Sequence, residues 1–270
     1  MKFLFTVALF ALSACTTIQI TEHDAFDSHK TITPQQFNYP QYKLHEITLE
    51  TIDGEQLNSW FLEHENATST VVYFGGNGFL MVKAAPIIEA YSNIPVNLMM
   101  LDYRGYGFSS GEPTVNGIYI DASTAYQFAK NNSPAPTDKI FIHGHSMGSF
   151  LSAYISDTEE VDGYILESPI TDIESWSRKL LPWILRPFVQ FDIDYSIRSQ
   201  SNLSHVANID KPLLILGGSD DEIAPFSMAQ ELEKQSGSGQ KRLVEISGGT
   251  HYNLPRFMTY KMALEEFLAN

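Results

Sequence analysis

The feature that most constrains the fold is a short apolar run followed at once by a serine between two glycines. Residues 140–143 read Ile-Phe-Ile-His and lead into Gly-His-Ser-Met-Gly at residues 144–148. Such a run predicts a buried strand, and glycine two residues before and after a serine predicts a sharp strand-to-helix turn that exposes its hydroxyl. Glycine is needed there because strand and helix approach each other closely. We therefore predict Ser146 as a nucleophile.

Two backbone N–H groups are candidates for binding an oxyanion. A helix that begins after Ser146 would direct the Met147 N–H and the positive end of its dipole at the site. The second donor is assigned to Asn77, in the glycine-rich run at residues 74–78. This loop lacks the Lys-Ser/Thr of a P-loop and the spacing of a dinucleotide fingerprint, so we expect no nucleotide cofactor.

The rest of the chain predicts a mostly parallel α/β architecture. Residues 43–51 and 56–63 alternate apolar and polar side chains around Asp53-Gly54, which is typical of an antiparallel hairpin. Short apolar runs with predicted helices between most of them then indicate a parallel sheet covered on both faces. These runs are residues 70–74, 96–101, 139–143, 161–166 and 212–216. Functional residues are expected at the carboxyl ends of such strands.

An activated serine requires a base and an acid that orients the base. His251 follows a late predicted strand and a glycine pair, and Asp220, Asp221 and Glu222 follow the strand before it. The order serine, acid, histidine fits a nucleophile of this kind. The residues alone do not decide whether Asp220 or Asp221 is the acid that orients His251. We expect His143 and His145 to pack behind the turn, and no metal-binding spacing is apparent among the eight histidines.

Three motifs together resemble the α/β-hydrolase superfamily, closest to its Bem46-like and serine aminopeptidase S33-like members. They are Asp-Tyr-Arg-Gly-Tyr-Gly-Phe-Ser at residues 102–109, the glycine-rich loop before it and the Gly-His-Ser-Met-Gly turn. The resemblance runs from about Leu44 to the C-terminus. It implies helices on both faces of the sheet and a small helical cap. It assigns the acid to Asp221, because Gly-x-x-Asp-x-x-x-Pro fits residues 218–225, and gives Asp102 and Arg104 a structural role beneath the oxyanion loop.

One departure from the family pattern concerns the glycine-rich loop. Relatives often carry His-Gly where this chain has Gly75-Gly76. The loop is therefore expected to keep its turn and to lose a side chain that packs beneath the site.

The stretch from about residue 170 to 201 interrupts the sheet pattern. It is rich in large apolar side chains and contains Pro182 and Pro187, so we predict short, broken helices that form the cap. Trp176, Trp183 and Phe188 are the residues we expect to line an acyl pocket beneath it.

The first residues predict export. An apolar run from Phe3 to Leu12 follows Lys2 and is too short to span a bilayer, so residues 1–14 are read as a signal peptide. Residues 12–15 resemble the lipobox of bacterial lipoproteins, which implies cleavage before Cys15, acylation of that cysteine and, with Thr16 next, an outer-membrane anchor facing the periplasm. A plain secretory signal is the alternative. Residues 15–41 are polar without a clear period and predict a tether before a single domain at residues 42–270.

The formal net charge of −15 argues against nucleic acid and against electrostatic docking on anionic lipid. Membrane attachment is therefore expected through Cys15 alone. The combined prediction is a monomeric serine hydrolase that cleaves carboxylic esters or related acyl bonds of small-molecule substrates through an acyl-enzyme, without a cofactor or metal. The alternatives are an S33-type peptidase and a non-catalytic envelope lipoprotein that uses the fold for binding.

Overall fold

The computed structural model describes residues 16–30, 37–179, 182, 184 and 186–269. The predicted signal peptide, the predicted lipidation site Cys15 and Trp183 of the cap lie outside these residues. Within the described part of the chain, no helix is both long enough and apolar enough to cross a membrane.

An eight-stranded sheet forms the centre of the domain. Its order is β10-β9-β7-β6-β4-β5-β3-β2, and all of its strands are mutually parallel except β3, which pairs antiparallel with both β2 and β5. The strands are β2 (Tyr42–Glu50), β3 (Gln56–His64), β4 (Ser69–Phe74), β5 (Val96–Leu101), β6 (Lys139–His145), β7 (Gly163–Glu167), β9 (Leu213–Gly218) and β10 (Lys241–Ile246). The predicted hairpin is confirmed, with Gly54 at a φ of 91° in its turn.

Helices cover both faces of this sheet, as the apolar runs predicted. The described helices are α1 (Ala85–Tyr91), α2 (Val115–Asn131), α3 (Gly148–Thr158), α4 (Ile173–Lys179), α5 (Tyr195–Arg198), α6 (Asn202–Val206), α7 (Phe226–Gln235) and α8 (Met258–Leu268). Of these, α4 and α5 belong to the cap. Apolar residues of α2, α3 and α7 form the core on one face, and those of α1 and α8 form it on the other. Strands β4, β5, β7 and β9 are buried along their whole length because both of their faces are covered.

The N-terminal segment differs from the predicted tether. Thr16–Ile20 forms β1, which pairs in parallel with β8 (Val189–Ile193) of the cap. Phe26 and Ile20 then pack against apolar residues of the cap and of α2. The cap therefore combines short helices with a two-stranded sheet, whereas we had expected helices alone. The partner strand lies more than half the chain away, so no local pattern could indicate the pairing.

Close contacts explain why the turn between β6 and α3 contains two glycines. A Cβ atom on Gly148 would lie 2.0 Å from the carbonyl oxygen of Phe74 at the end of β4. A Cβ on Gly144 would lie 2.3 Å from the carbonyl oxygen of Gly148. Both distances are shorter than any van der Waals contact, and the obstacles are backbone atoms that cannot rotate away.

We expect Gly148→Ala to destabilise the domain by about 2–3 kcal/mol, since β4 and α3 would have to separate. Urea unfolding followed by circular dichroism measures this free energy. Gly239→Ala is the matched control, because a Cβ there meets no atom within 4 Å. Equal stability of the two variants would contradict the close approach of β4 and α3.

Candidate active site

Ser146 lies in the turn between β6 and α3 with a φ of 53°, in the left-handed region that side chains rarely adopt. Two backbone bonds hold this conformation. The Ser146 N–H donates to the carbonyl oxygen of Glu167 at the end of β7 (2.9 Å), and the Ser149 N–H donates to the Ser146 carbonyl oxygen (2.9 Å). The strained turn raises the hydroxyl above the carboxyl ends of the strands.

The three predicted side chains meet at this point. His251 Nε2 lies 2.9 Å from Ser146 Oγ, and His251 Nδ1 lies 2.9 Å from Asp221 Oδ2 and 3.2 Å from Asp221 Oδ1. All three residues are buried, with relative exposures of 7% for Ser146 and 4% for each partner. A buried imidazole that contacts a hydroxyl on one side and a carboxylate on the other can accept the hydroxyl proton.

The geometry distinguishes Asp221 from its neighbour. Asp221 Oδ1 also accepts bonds from the N–H groups of Ile223 (2.9 Å) and Ala224 (2.7 Å). Burial by itself raises the pKa of Asp221, but the His251 imidazole and the Ala224 N–H outweigh it and hold that pKa below its usual value. Asp220 is exposed and accepts a bond from Ser219 Oγ (2.8 Å). The structure thus brings Asp221, and not Asp220, to His251.

His145 does more than the predicted packing behind the turn. Its Nε2 lies 2.9 Å from the carbonyl oxygen of His251, and its ring lines the same cavity as Ser146. Burial lowers the pKa of His145. Because a carbonyl oxygen can only accept, the Nε2–H of His145 donates to it. His145 therefore positions the loop that carries His251. His143 does pack behind the turn, fully buried, with Nδ1 2.7 Å from the Tyr91 hydroxyl.

The two predicted oxyanion donors face one cavity. Both Asn77 and Met147 line the pocket that contains Ser146. Among the described residues, neither of their backbone N–H groups has a hydrogen-bond acceptor. Such unpaired donors at the start of a helix and in a glycine turn can stabilise a developing negative charge.

In the loop before Asn77, the ring of Phe79 fills the space at Gly75, where the family pattern predicted a lost side chain. A Cβ on Gly75 would lie 2.1 Å from the ring of Phe79, so that ring occupies the space which a side chain at residue 75 would need. Tyr103, in the motif expected to support this loop, donates from its hydroxyl to the Gly75 carbonyl oxygen (2.9 Å). Asp102 is buried and accepts a bond from the Met81 N–H (2.9 Å), which agrees with its predicted structural role.

The Asn77 side chain joins the oxyanion loop to the N-terminal segment. Its Nδ2 donates to the Ala25 carbonyl oxygen (2.9 Å), and its Oδ1 accepts from the Asp27 N–H (2.8 Å) and from the Tyr106 hydroxyl (2.8 Å). Sequence reasoning missed this connection, since it treated Asn77 only as a backbone donor and residues 15–41 as a tether. The segment is thereby part of the site.

A cavity of about 530 Å³ opens from Ser146 and His251 and extends beneath the cap. Its walls are mainly aliphatic and aromatic, and they come from α2, α3, the cap and the N-terminal segment. Trp176 lines it, as predicted, and its indole N–H donates to the Ile223 carbonyl oxygen (2.8 Å). Phe188 does not line it, because its side chain points outward and is 53% exposed. Trp183 is outside the described residues.

Within the residues that the structure describes, no group of three or more His, Cys, Asp or Glu side chains is placed to hold a metal ion. The polar groups that converge at the site are the serine, histidine and aspartate with the two backbone donors. This set is suited to acyl transfer.

Comparison with known proteins places the chain in a family. The Hydrolase_4 family, described as serine aminopeptidase, S33, has a model that matches residues 65–200. The uncharacterized membrane protein YNL320W of Saccharomyces cerevisiae is 30% identical over 81% of this chain and 76% of that protein. Protein bem46 of Schizosaccharomyces pombe is 27% identical over 88% of this chain and 79% of that protein. The esterase Pf2001 of Pyrococcus furiosus superposes with a TM-score of 0.72 at 20% identity, covering 89% of this chain and 98% of that one.

The chain therefore belongs to the S33-type family of α/β hydrolases, and the resemblance read from its motifs is confirmed. The likeness to the archaeal esterase confirms the fold: a mostly parallel central sheet with helices on both faces.

We expect Asn77→Ala to loosen residues 22–28, because two hydrogen bonds to this segment would be lost. Hydrogen–deuterium exchange should show the amides of Ala25 and Asp27 exchanging about 10- to 100-fold faster. Asn93→Ala, at an exposed site after α1, is the control. Unchanged protection of the segment in Asn77→Ala would show that this amide does not hold it.

Proposed function

We propose that this protein is a serine hydrolase that cleaves carboxylic esters with uncharged, apolar acyl groups. The observation that carries the proposal is the position of the His251 imidazole, 2.9 Å from the Ser146 hydroxyl and 2.9 Å from the Asp221 carboxylate. A serine with such partners in an S33-type hydrolase has the groups that acyl transfer requires.

The proposed reaction proceeds through an acyl-enzyme. Ser146 Oγ attacks the ester carbonyl carbon while its proton passes to His251 Nε2, and Asp221 stabilises the imidazolium that forms. The carbonyl oxygen becomes an oxyanion bound by the Asn77 and Met147 N–H groups. The intermediate then releases the alcohol, which takes the proton from His251. Water attacks the acyl-enzyme with His251 as base again, and the carboxylic acid leaves as Ser146 Oγ recovers its proton.

The cavity favours an apolar acyl group. No Lys or Arg is found among its described lining residues, so a carboxylate or phosphate on the acyl chain would have no cationic partner there. Its polar lining residues lie mainly at the catalytic end and on the N-terminal segment. A volume of about 530 Å³ accommodates a medium-length acyl chain.

An aminopeptidase is the second candidate, and it is favoured by the carboxylates of Asp24 and Asp27 at the edge of the cavity. These groups could bind a peptide amino terminus. Both are already engaged, however: Asp24 Oδ2 accepts bonds from Thr21, and Asp27 Oδ1 lies 2.9 Å from His29 Nε2. Higher kcat/KM on aminoacyl amides than on acyl esters would favour this candidate.

Ser146→Ala and His251→Ala should each lower kcat on p-nitrophenyl esters by about 10⁶, because the nucleophile or its base is lost. The unmodified protein should also react at Ser146 with a fluorophosphonate probe, which mass spectrometry detects. A non-catalytic binding protein would be indicated if folded protein neither reacted with the probe nor turned over any ester or amide.

Asp221→Asn should lower kcat by about 10⁴, since the histidine would lose its ionised partner. Asp220→Asn is the matched control in the adjacent residue and should stay within about threefold of the unmodified protein, because that side chain is exposed and contacts Ser219. A large loss in Asp220→Asn with little loss in Asp221→Asn would reverse the assignment of the acid.

A further inference from the structure

One stretch of the cap is positively charged, whereas the whole chain is strongly negative. The chain carries a formal net charge of −15, yet residues 175–191 contain no acidic residue and hold three basic ones, Arg178, Lys179 and Arg186. Large apolar residues occupy most of the positions between them. Basic side chains beside exposed apolar and aromatic ones are typical of surfaces that rest on anionic membranes.

Several of the described residues in this stretch are exposed. Ile184 is 58% exposed and Phe188 is 53% exposed, and Arg178 and Lys179 are also on the surface. Arg178 forms an exposed ion pair with Glu174, so part of its charge is balanced. Two large apolar side chains exposed only four residues apart are a candidate interaction surface.

The N-terminal segment contacts the same part of the cap. The Thr16 N–H donates to the Phe188 carbonyl oxygen (2.9 Å), and Ile18, which is 40% exposed, pairs in register with Phe191. Cys15, the predicted lipidation site, directly precedes Thr16. An acyl chain on that cysteine would therefore be attached at the residue before Thr16, whose N–H contacts the backbone of Phe188.

The small sheet of β1 and β8 also connects this surface with the cavity. Side chains alternate along a strand, so Ile18 and Ile20 lie on one face of β1. Ile20 lines the cavity together with Phe191 and Ile193 of β8, while Ile18 is exposed nearer the start of the strand. An apolar face thus runs from the wall of the cavity towards the residue that follows Cys15.

We propose that the cap docks on an anionic membrane surface through Ile18, Ile184 and Phe188, with Arg178 and Lys179 beside the lipid headgroups. The acyl cavity then opens next to the bilayer. This docking is separate from the lipid anchor, which would attach the chain but not orient it. That the substrate's acyl chain enters from the membrane is a corollary, and it rests on the proposed ester hydrolysis.

The test uses the processed chain, residues 15–270, with Cys15→Ser so that no lipid is attached. We expect it to bind mixed phosphatidylcholine–phosphatidylglycerol vesicles in sedimentation. The double variant Ile184→Ser with Phe188→Ser should bind at least about tenfold more weakly, because two apolar side chains no longer enter the interface. Lys179→Gln should weaken binding by about fivefold at low salt.

Ile52→Ser with Met262→Ser is the control, because these residues are 93% and 50% exposed and lie on the hairpin turn and on α8. Its affinity should equal that of the parent chain. The proposal is wrong if the parent chain does not bind vesicles, or if the two double variants bind equally. It is also wrong if analytical ultracentrifugation shows that the cap variant separates a dimer into monomers, since a second copy would then cover this surface.

Ester turnover gives a second test of the docking proposal. Ile184→Ser with Phe188→Ser should keep the kcat/KM of the parent chain on a soluble p-nitrophenyl ester and lose about tenfold on an ester dissolved in vesicles. Failure of the docking proposal would appear in vesicle binding. Failure of the proposed hydrolysis would instead appear as no fluorophosphonate labelling and no turnover in either form of substrate.

Discussion

The contact between the end of β4 and the start of α3 is the constraint on which the site depends. Gly148 lies so close to the Phe74 carbonyl that no other residue fits. This contact fixes the nucleophile turn relative to the loop that carries Asn77. The two predicted oxyanion donors come from these two segments, so the close backbone packing of β4 and α3 helps to set their separation. Ser146, between the two glycines of the turn, has a left-handed conformation.

Glu167 is buried beneath the turn that carries Ser146 and supports it. The Glu167 carbonyl accepts the Ser146 N–H, and its carboxylate accepts the Tyr260 hydroxyl (2.8 Å) and lies 3.1 Å from His143 Nε2. Burial alone raises the pKa of Glu167, but the His143 imidazole and the Tyr260 hydroxyl outweigh it and hold that pKa below its usual value. This network favours one arrangement of its members, since breaking it would leave a charge buried without a partner. It therefore supports the turn that carries Ser146.

The elements that the sequence predicted well are those whose signals are local. Glycine at residues 144 and 148, the alternation around Asp53-Gly54 and the short apolar strands each depend on neighbours a few residues away, and the structure has all of them. The prediction that His251 and an acid meet Ser146 followed from the order of strand ends, whereas the choice of Asp221 over Asp220 came from the resemblance to the family. The N-terminal segment was misread because its partner strand β8 and its anchor Asn77 are remote in sequence. The role of His145 was missed for the same reason, since its acceptor is the backbone of His251.

The pairing of β1 with β8 has a consequence for the order of folding. A chain is made from its N-terminus, so Ile18 and Ile20 emerge long before Phe191 and Ile193, with which they pair. Pairing over such a distance is slowed because the long loop between the two strands must close. Until β1 and β8 pair, the cavity lacks one of its walls.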